Sequence, residues 1–396
     1  MAGRRRVPGA SVVALCLLLV SLVACGGGPA GDRVRAEVQA LLDRRAGAVL
    51  DRDPAAYART GTRDGYARLR AVPLADWSYR LTSLHRSGDT ATASADLGYR
   101  VAGYDRSPVV TARTLRLSRD GDGRWAVESE RPAEKSGQQL WDQGAVRAVT
   151  GSRSLVLGVG RPAEELRGYA ELADRAVPAV SEAWGTRWPR RLVLLVPQSL
   201  EGMAGLLGSP ASSYRGIAAV TTGETGTGAR APADRIIVNP DAFGVLGDSG
   251  RQVVLTHETT HVATRAHTTD ATPLWLSEGL ADWAGYRGTG RTPAEAAPEL
   301  AHAVDRGEVP SRLPDDEDFR FAGAAGRLAR AYESGWTACR LIADQWGEER
   351  LRGFYRAVGA HGRREGAVET AMRDVLGTTP EDFTRRWRDY LRTELG

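Results

Sequence analysis

The stretch HETTHVATRAHTTDATPLWLSEGLADW, residues 257–283, holds three of the chain's six histidines, together with two glutamates and two aspartates. His257 and His261 stand four apart. On a helix they project from one face about a turn apart, so both imidazoles can reach a single metal ion. Glu258 lies one position round from His257, close enough to touch a metal-bound water without ligating the ion. The neighbours Val254, Leu255, Thr259, Thr260, Val262 and Ala263 are uncharged, as a buried active-site helix requires. Ser249-Gly250-Arg251-Gln252 has the capping-box form and predicts where that helix starts. A catalytic zinc takes three protein ligands and keeps one position open, so a third ligand must be found.

Two residues compete for that place. His267 follows His261 by six positions, and HETTHVATRAH is similar to the metzincin pattern HExxHxxGxxH except at its glycine. That glycine permits the φ > 0 turn that returns the last histidine to the metal; here the position is Thr264, which is β-branched and resists it. The metzincin methionine turn is missing too, since Met203 lies upstream and Met372 far downstream. His267 is therefore expected on a loop at the rim. The other candidate is Glu278. A helix begun at Pro273, or capped locally by Ser277, places Glu278 and Asp282 at i and i+4. One carboxylate can then ligate while the next accepts the free N–H of a ligating histidine and fixes its tautomer.

With HExxH at 257–261, the run Trp275-Leu276-Ser277-Glu278-Gly279-Leu280-Ala281 resembles the W-L-x-E-G-x-A pattern of the gluzincin metallopeptidases. The likeness extends over 151–396, with strands ahead of the helix and helices behind it. It implies a small β-sheet, an HExxH helix and a C-terminal helical bundle. It also implies one Zn2+ per chain held by His257, His261 and Glu278, Glu258 as general base, and Asp282 in support. The activity implied is hydrolysis of peptide bonds in a peptide or protein substrate by a zinc-activated water. The gap between His261 and Glu278 is shorter than in aminopeptidase members and matches shorter bacterial peptidase families.

RAYESGWTACRLIADQWG, 330–347, resembles the family's tyrosine helix, which implies Tyr332 as a donor to the tetrahedral oxyanion; His267 is the alternative. RIIVNP, 235–240, is expected as the edge strand to which a peptide adds. Two function classes stay open: an active zinc peptidase, and a module that keeps the zinc fold but only binds. A retired site has no need of its base, so an intact Glu258 favours the first.

Outward from the site, the chain reads as α+β. Apolar residues at Val34, Val38, Leu41, Leu42, Ala46, Val49 and Leu50 predict a helix, and Asp53-Pro54 opens a second. Four strands follow at 77–86, 90–104, 109–120 and 124–130, separated by SGD, DRSP and GDG turns. Two helices and an antiparallel meander resemble the cone-shaped nuclear-transport-factor-2-like fold over 33–132. A polar linker is expected at 133–150. Beyond it come strands at SLVLGVG, RLVLLVP, GIAAVTTG and RIIVNP, with a helix over about 163–184 and a loop at 222–234. Nearly all of 321–395 reads as helical, with a start at Thr379-Pro380-Glu381-Asp382.

The first residues differ from all this. Arg4-Arg5-Arg6 precede an apolar run from Val12 to Val23, and small residues flank Cys25: a secretory leader over 1–24. Leu22-Val23-Ala24-Cys25 resembles a bacterial lipobox. That likeness implies cleavage before Cys25, its diacylation, a tether over 25–32, and an extracytoplasmic protein lipid-anchored to the cell membrane. Cys16 leaves with the leader and Cys25 is the anchor, so Cys339 has no partner and is expected buried and inert. Loss of the three leader arginines takes the formal charge from +4 to +1, which is no nucleic-acid footprint.

Overall fold

The computed structural model describes residues 29–223, 231–320 and 325–396. The leader, Cys25 and the first residues of its tether lie outside them, as does most of the loop expected at 222–234.

The first helix, α1 (Pro29–Leu50), buries the stripe of Val34, Val38, Leu41, Leu42, Ala46 and Val49. Asp53 caps α2 (Pro54–Ala58), its side chain accepting from the amides of Ala55 and Ala56. A short α3 (Asp64–Leu69) intervenes before the strands; the sequence reading lacks it. Then β1 (Leu74–Ser87), β2 (Thr90–Val101), β3 (Val109–Arg119) and β4 (Trp125–Pro132) form an antiparallel sheet in chain order. Strict alternation along β2 turns Ala91, Ala93, Ala95, Leu97, Tyr99 and Val101 inward. The Gln39 side chain ties α1 to the sheet, donating to the Tyr79 carbonyl and accepting from the Leu81 amide, both at 2.8 Å.

The expected linker at 133–150 is instead part of the fold. In it α4 (Leu140–Gln143) buries Leu140 and Trp141, and β5 (Val146–Thr150) pairs antiparallel with β6 (Ser154–Val159). A polar average across the segment hides these apolar side chains, which outweigh it.

Next come α5 (Ala163–Trp184), β7 (Leu192–Val196), α6 (Leu200–Leu207), β8 (Ala219–Thr222) and β9 (Arg235–Val238). The second sheet has the order β5-β6-β7-β9-β8; β6, β7 and β9 run parallel, and the outer strands are antiparallel to them. The α5 crossover between β6 and β7 is what parallel pairing demands. Every residue of β6 is buried. Val156 packs into the core beneath α5, while Leu155, Leu157 and Val159 join the core of the first sheet. Burial on both faces explains the unbroken apolar run.

The structure corrects the edge strand. RIIVNP supplies β9, which lies between β7 and β8 and is buried throughout; the edge belongs to β8. A second tie joins the two sheets at the β2–β3 turn. There the fully buried Asp105 carboxylate accepts from the Val101 amide (2.7 Å), the Ala233 amide (3.0 Å) and the Arg235 guanidinium (2.7 Å).

Helices make up the rest: α7 (Pro240–Gly244), α8 (Asp248–Thr264), α9 (Leu274–Tyr286), α10 (Pro293–Ala296), α11 (Pro298–Asp305), α12 (Ala325–Trp346), α13 (Glu348–Gly359), α14 (Ala367–Ala371) and α15 (Pro380–Leu395). Thr379 caps α15 through the Asp382 amide. Leu341, Phe354, Tyr355, Phe383 and Trp387 fill their common core. Cys339 is a free thiol, fully buried. Among the described residues no helix is long and apolar enough to cross a membrane.

Candidate metal centre and active site

The motif helix α8 forms as expected but starts differently. Gly247, not Ser249, is its N-cap, and no side chain caps it. Gln252, the expected reciprocal partner, donates instead to the Leu172 carbonyl at 3.2 Å. Buried threonines suit this helix because each hydroxyl bonds back one turn: Thr256 to Gln252, Thr259 to Leu255, Thr260 to Thr256 and Thr264 to Thr260, at 2.6–2.9 Å. At the far end, Arg265 pairs with the buried Asp234 at 3.1 Å.

Helix α9 starts at Pro273 and carries Ser277 inside it. Gly279 sits so close to α12 that a Cβ there would come within 2.2 Å of the Gly335 carbonyl oxygen. The glycine after Glu278 therefore has a packing role: it lets α12 approach and brings Tyr332, one turn before Gly335, to the site.

Three donor atoms converge. His257 Nε2 is 3.1 Å from His261 Nε2 and 3.2 Å from Glu278 Oε2, and His261 Nε2 is 3.4 Å from Glu278 Oε2. An ion about 2.0–2.1 Å from each of three tetrahedrally arranged donors would hold them about 3.3–3.4 Å apart, so the triangle fits zinc. Among the described residues this is the one cluster able to hold a metal ion. Asp282 Oδ1 is 2.7 Å from His257 Nδ1. That nitrogen is thereby taken as the donor, and Nε2 is turned to the centre of the triangle.

Electrostatics follow from crowding. Burial disfavours a charged His257, but Asp282, with Glu278 and Glu258, outweighs it and lifts the ring well above its ordinary value. Burial would raise Glu278, yet His261 and His257 together drive its carboxyl far below the usual range. The Tyr332 ring centroid is 6.5 Å from that of His257, and Phe319 packs on Tyr332 edge-on at 5.2 Å. Burial, then the charges of Glu278, Asp282 and Glu258, push the phenol well up, so it stays a proton donor.

Glu258 lies outside the donor triangle. It is buried, and its carboxylate accepts the Thr221 hydroxyl at 2.6 Å. Thr221 was not foreseen; the only hint in the sequence is the polar pair Thr221-Thr222 closing an otherwise apolar strand. The structure keeps His267 away from the donor triangle. It ends a short 3-10 turn, Arg265–His267, with its ring edge-on to Trp184 at 5.7 Å, beside Arg187 and Arg356.

No protein-family model matches the chain, and no curated protein matches it. Among solved structures it is similar to the M1 zinc metallopeptidase from Deinococcus radiodurans, at 16% identity over 80% of this chain and 61% of that one, with a TM-score of 0.37. It is also similar to native yeast LTA4 hydrolase, at 11% identity over 81% of this chain and 60% of that one, with a TM-score of 0.39. The neighbours include zinc metallopeptidases. The chain spans about three fifths of their length. Scores this low leave the reading of the site to its own geometry.

Proposed function

We propose that the chain is a gluzincin-type zinc peptidase of the cell envelope. One observation carries this reading: two imidazole nitrogens and a carboxylate oxygen meet at zinc-ligand spacing, beside a glutamate that ligates nothing and is aimed by a hydroxyl. His257, His261 and Glu278 would hold the ion. Once bound, zinc would lower the pKa of water and polarise the scissile carbonyl. Glu258 then accepts the proton of the attacking water and passes it to the leaving amine. Asp282 keeps His257 in the tautomer that presents Nε2. Tyr332, neutral and partly buried against the site, donates to the oxyanion as it develops. Strand β8, at the edge of the sheet among the described residues, is where a peptide would add.

Glu258→Gln tests catalysis. Glutamine keeps the shape but takes no proton, so turnover should fall by at least about 100-fold with zinc content unchanged. A wild type that binds zinc and a partner protein yet cleaves no peptide in a broad library would be the non-catalytic module instead. The anchoring half of the proposal rests on Cys25. Cys25→Ala should accumulate as an unprocessed, unlipidated precursor, and normal maturation with membrane retention would refute the lipid anchor.

A further inference from the structure

Glu258 is not free to swing. Its Oε2 lies 2.6 Å from the Thr221 hydroxyl, and that hydroxyl is 3.1 Å from Glu258's own carbonyl oxygen. A threonine has one hydroxyl hydrogen to give, and the shorter, charge-assisted contact takes it. Thr221 stands on β8, whose partner β9 pairs with it on one side only. Among the described residues no strand pairs with its other side.

We propose that Thr221 is the positioning residue for the catalytic base, and that through it the strand that receives the peptide also aims the glutamate. The proposal rests on the peptidase reading above. Threonine is stiff at χ1, so the direction of its hydroxyl is set by the β8 backbone. A peptide that pairs with β8 is placed by that same backbone, residue by residue. Scissile bond and base thus share one frame of reference, and neither depends on a long side chain finding its own rotamer. Near-attack geometry is sensitive to small misplacements, so this shared frame should show in turnover rather than in binding.

Thr221→Val replaces the hydroxyl with a methyl of similar size. It should lower kcat by about 10–100-fold, the rate equivalent of one hydrogen bond to a charged group, with KM and zinc content close to wild type. Thr221→Ser keeps the hydroxyl and should restore most of the turnover. A hydroxyl that merely ties β8 to α8 would leave kcat alone, whatever it does to KM or stability. A second measurement needs no metal and no turnover. Denaturant unfolding of chelator-treated protein should show Thr221→Val costing clearly more with Glu258 present than in a Glu258→Ala background. Unchanged kcat in Thr221→Val, or equal costs in both backgrounds, overturns the proposal. A wild type inert on peptides would remove the peptidase reading, and the unfolding cycle would then decide the Thr221–Glu258 link by itself.

Discussion

Two largely buried polar clusters, one in each half of the chain, are built on opposite principles. In the first half, Arg113 forks onto Asp142 at 2.7 and 2.9 Å and reaches Glu130 at 3.2 Å. Arg45, almost wholly buried, lies 3.6 Å from Glu130 and stacks 3.9 Å over the Tyr57 ring. Tyr79 donates to Glu130 as well. Two guanidiniums answer two carboxylates, and the cluster closes on itself. In the second half, Glu258, Glu278 and Asp282 crowd against two imidazoles, and among the described residues no arginine or lysine pairs with any of them. A cluster rich in acceptors and poor in permanent cations is one whose charge a metal ion would balance. Burial of charge alone does not mark a function; the imbalance does.

The contrast can be broken from either side. The largest effect belongs to the acceptor-rich cluster. Glu278→Ala and His261→Ala should lower zinc from one per chain to none, because two remaining ligands do not hold the ion against solvent. Asp282→Ala should weaken zinc affinity by roughly 10–100-fold, and His267→Ala should leave it alone, all read by metal analysis and competition with a chelator. Zinc retained by Glu278→Ala but lost by His267→Ala would invert the assignment of the third ligand.

The closed cluster should respond in stability and not in metal content. Arg113→Ala strands Asp142 and half of Glu130, which should cost about 3–5 kcal/mol in denaturant unfolding while zinc stoichiometry holds. If the same variant loses zinc, the two halves are not independent in the way their chemistry suggests.

The smallest effect belongs to a carboxyl beside the second cluster. Glu333, beside Tyr332 on α12, caps α11 through the amides of Leu300 and Glu299 at 2.6 and 3.3 Å. Burial raises its pKa to about 7 from 4.5, although the Leu300 and Glu299 amides pull the other way. A carboxyl raised on folding binds its proton more tightly in the native state. Its contribution is therefore full below about pH 4.5 and is lost as pH rises toward 7. Glu333→Gln removes that titration, so its unfolding free energy should fall less steeply over this range than that of the wild type.

Much of the site was legible because its signals are local. The i, i+4 spacing of His257 and His261, and of Glu278 and Asp282, survives translation into helices without further information. Both helices that carry them form, α9 from the proline expected at its start and α8 two residues ahead of its expected cap. What escaped the reading depended on distant partners. Ser249 looked like a cap, but Gly247 takes the turn and Gln252 is drawn to a carbonyl on α5. RIIV looked like an edge, yet three consecutive apolar residues, Ile236, Ile237 and Val238, mark a strand covered on both faces; the mixed AVTT was the better candidate. Residues 133–150 looked like a linker because Leu140 and Trp141 are few among many polar neighbours. Asp105 carries no pattern at all, and Thr221 only the faint one of a polar pair closing an apolar strand. Their roles arise only where two segments far apart in the chain meet.

The doubly covered β6 has a consequence for the order in which the protein can be completed. Residues 29–143 carry every strand of the first sheet, but the hydrophobic interior of that sheet is finished by Leu155, Leu157 and Val159. Those three arrive on a strand whose other neighbour, β7, lies beyond the 22-residue α5. A chain emerging from its N-terminus thus makes its first sheet early and must leave one side of it bare until the next strand has been synthesised. Any division of the gene between the two halves would leave both products with that apolar face uncovered, which is the usual beginning of aggregation.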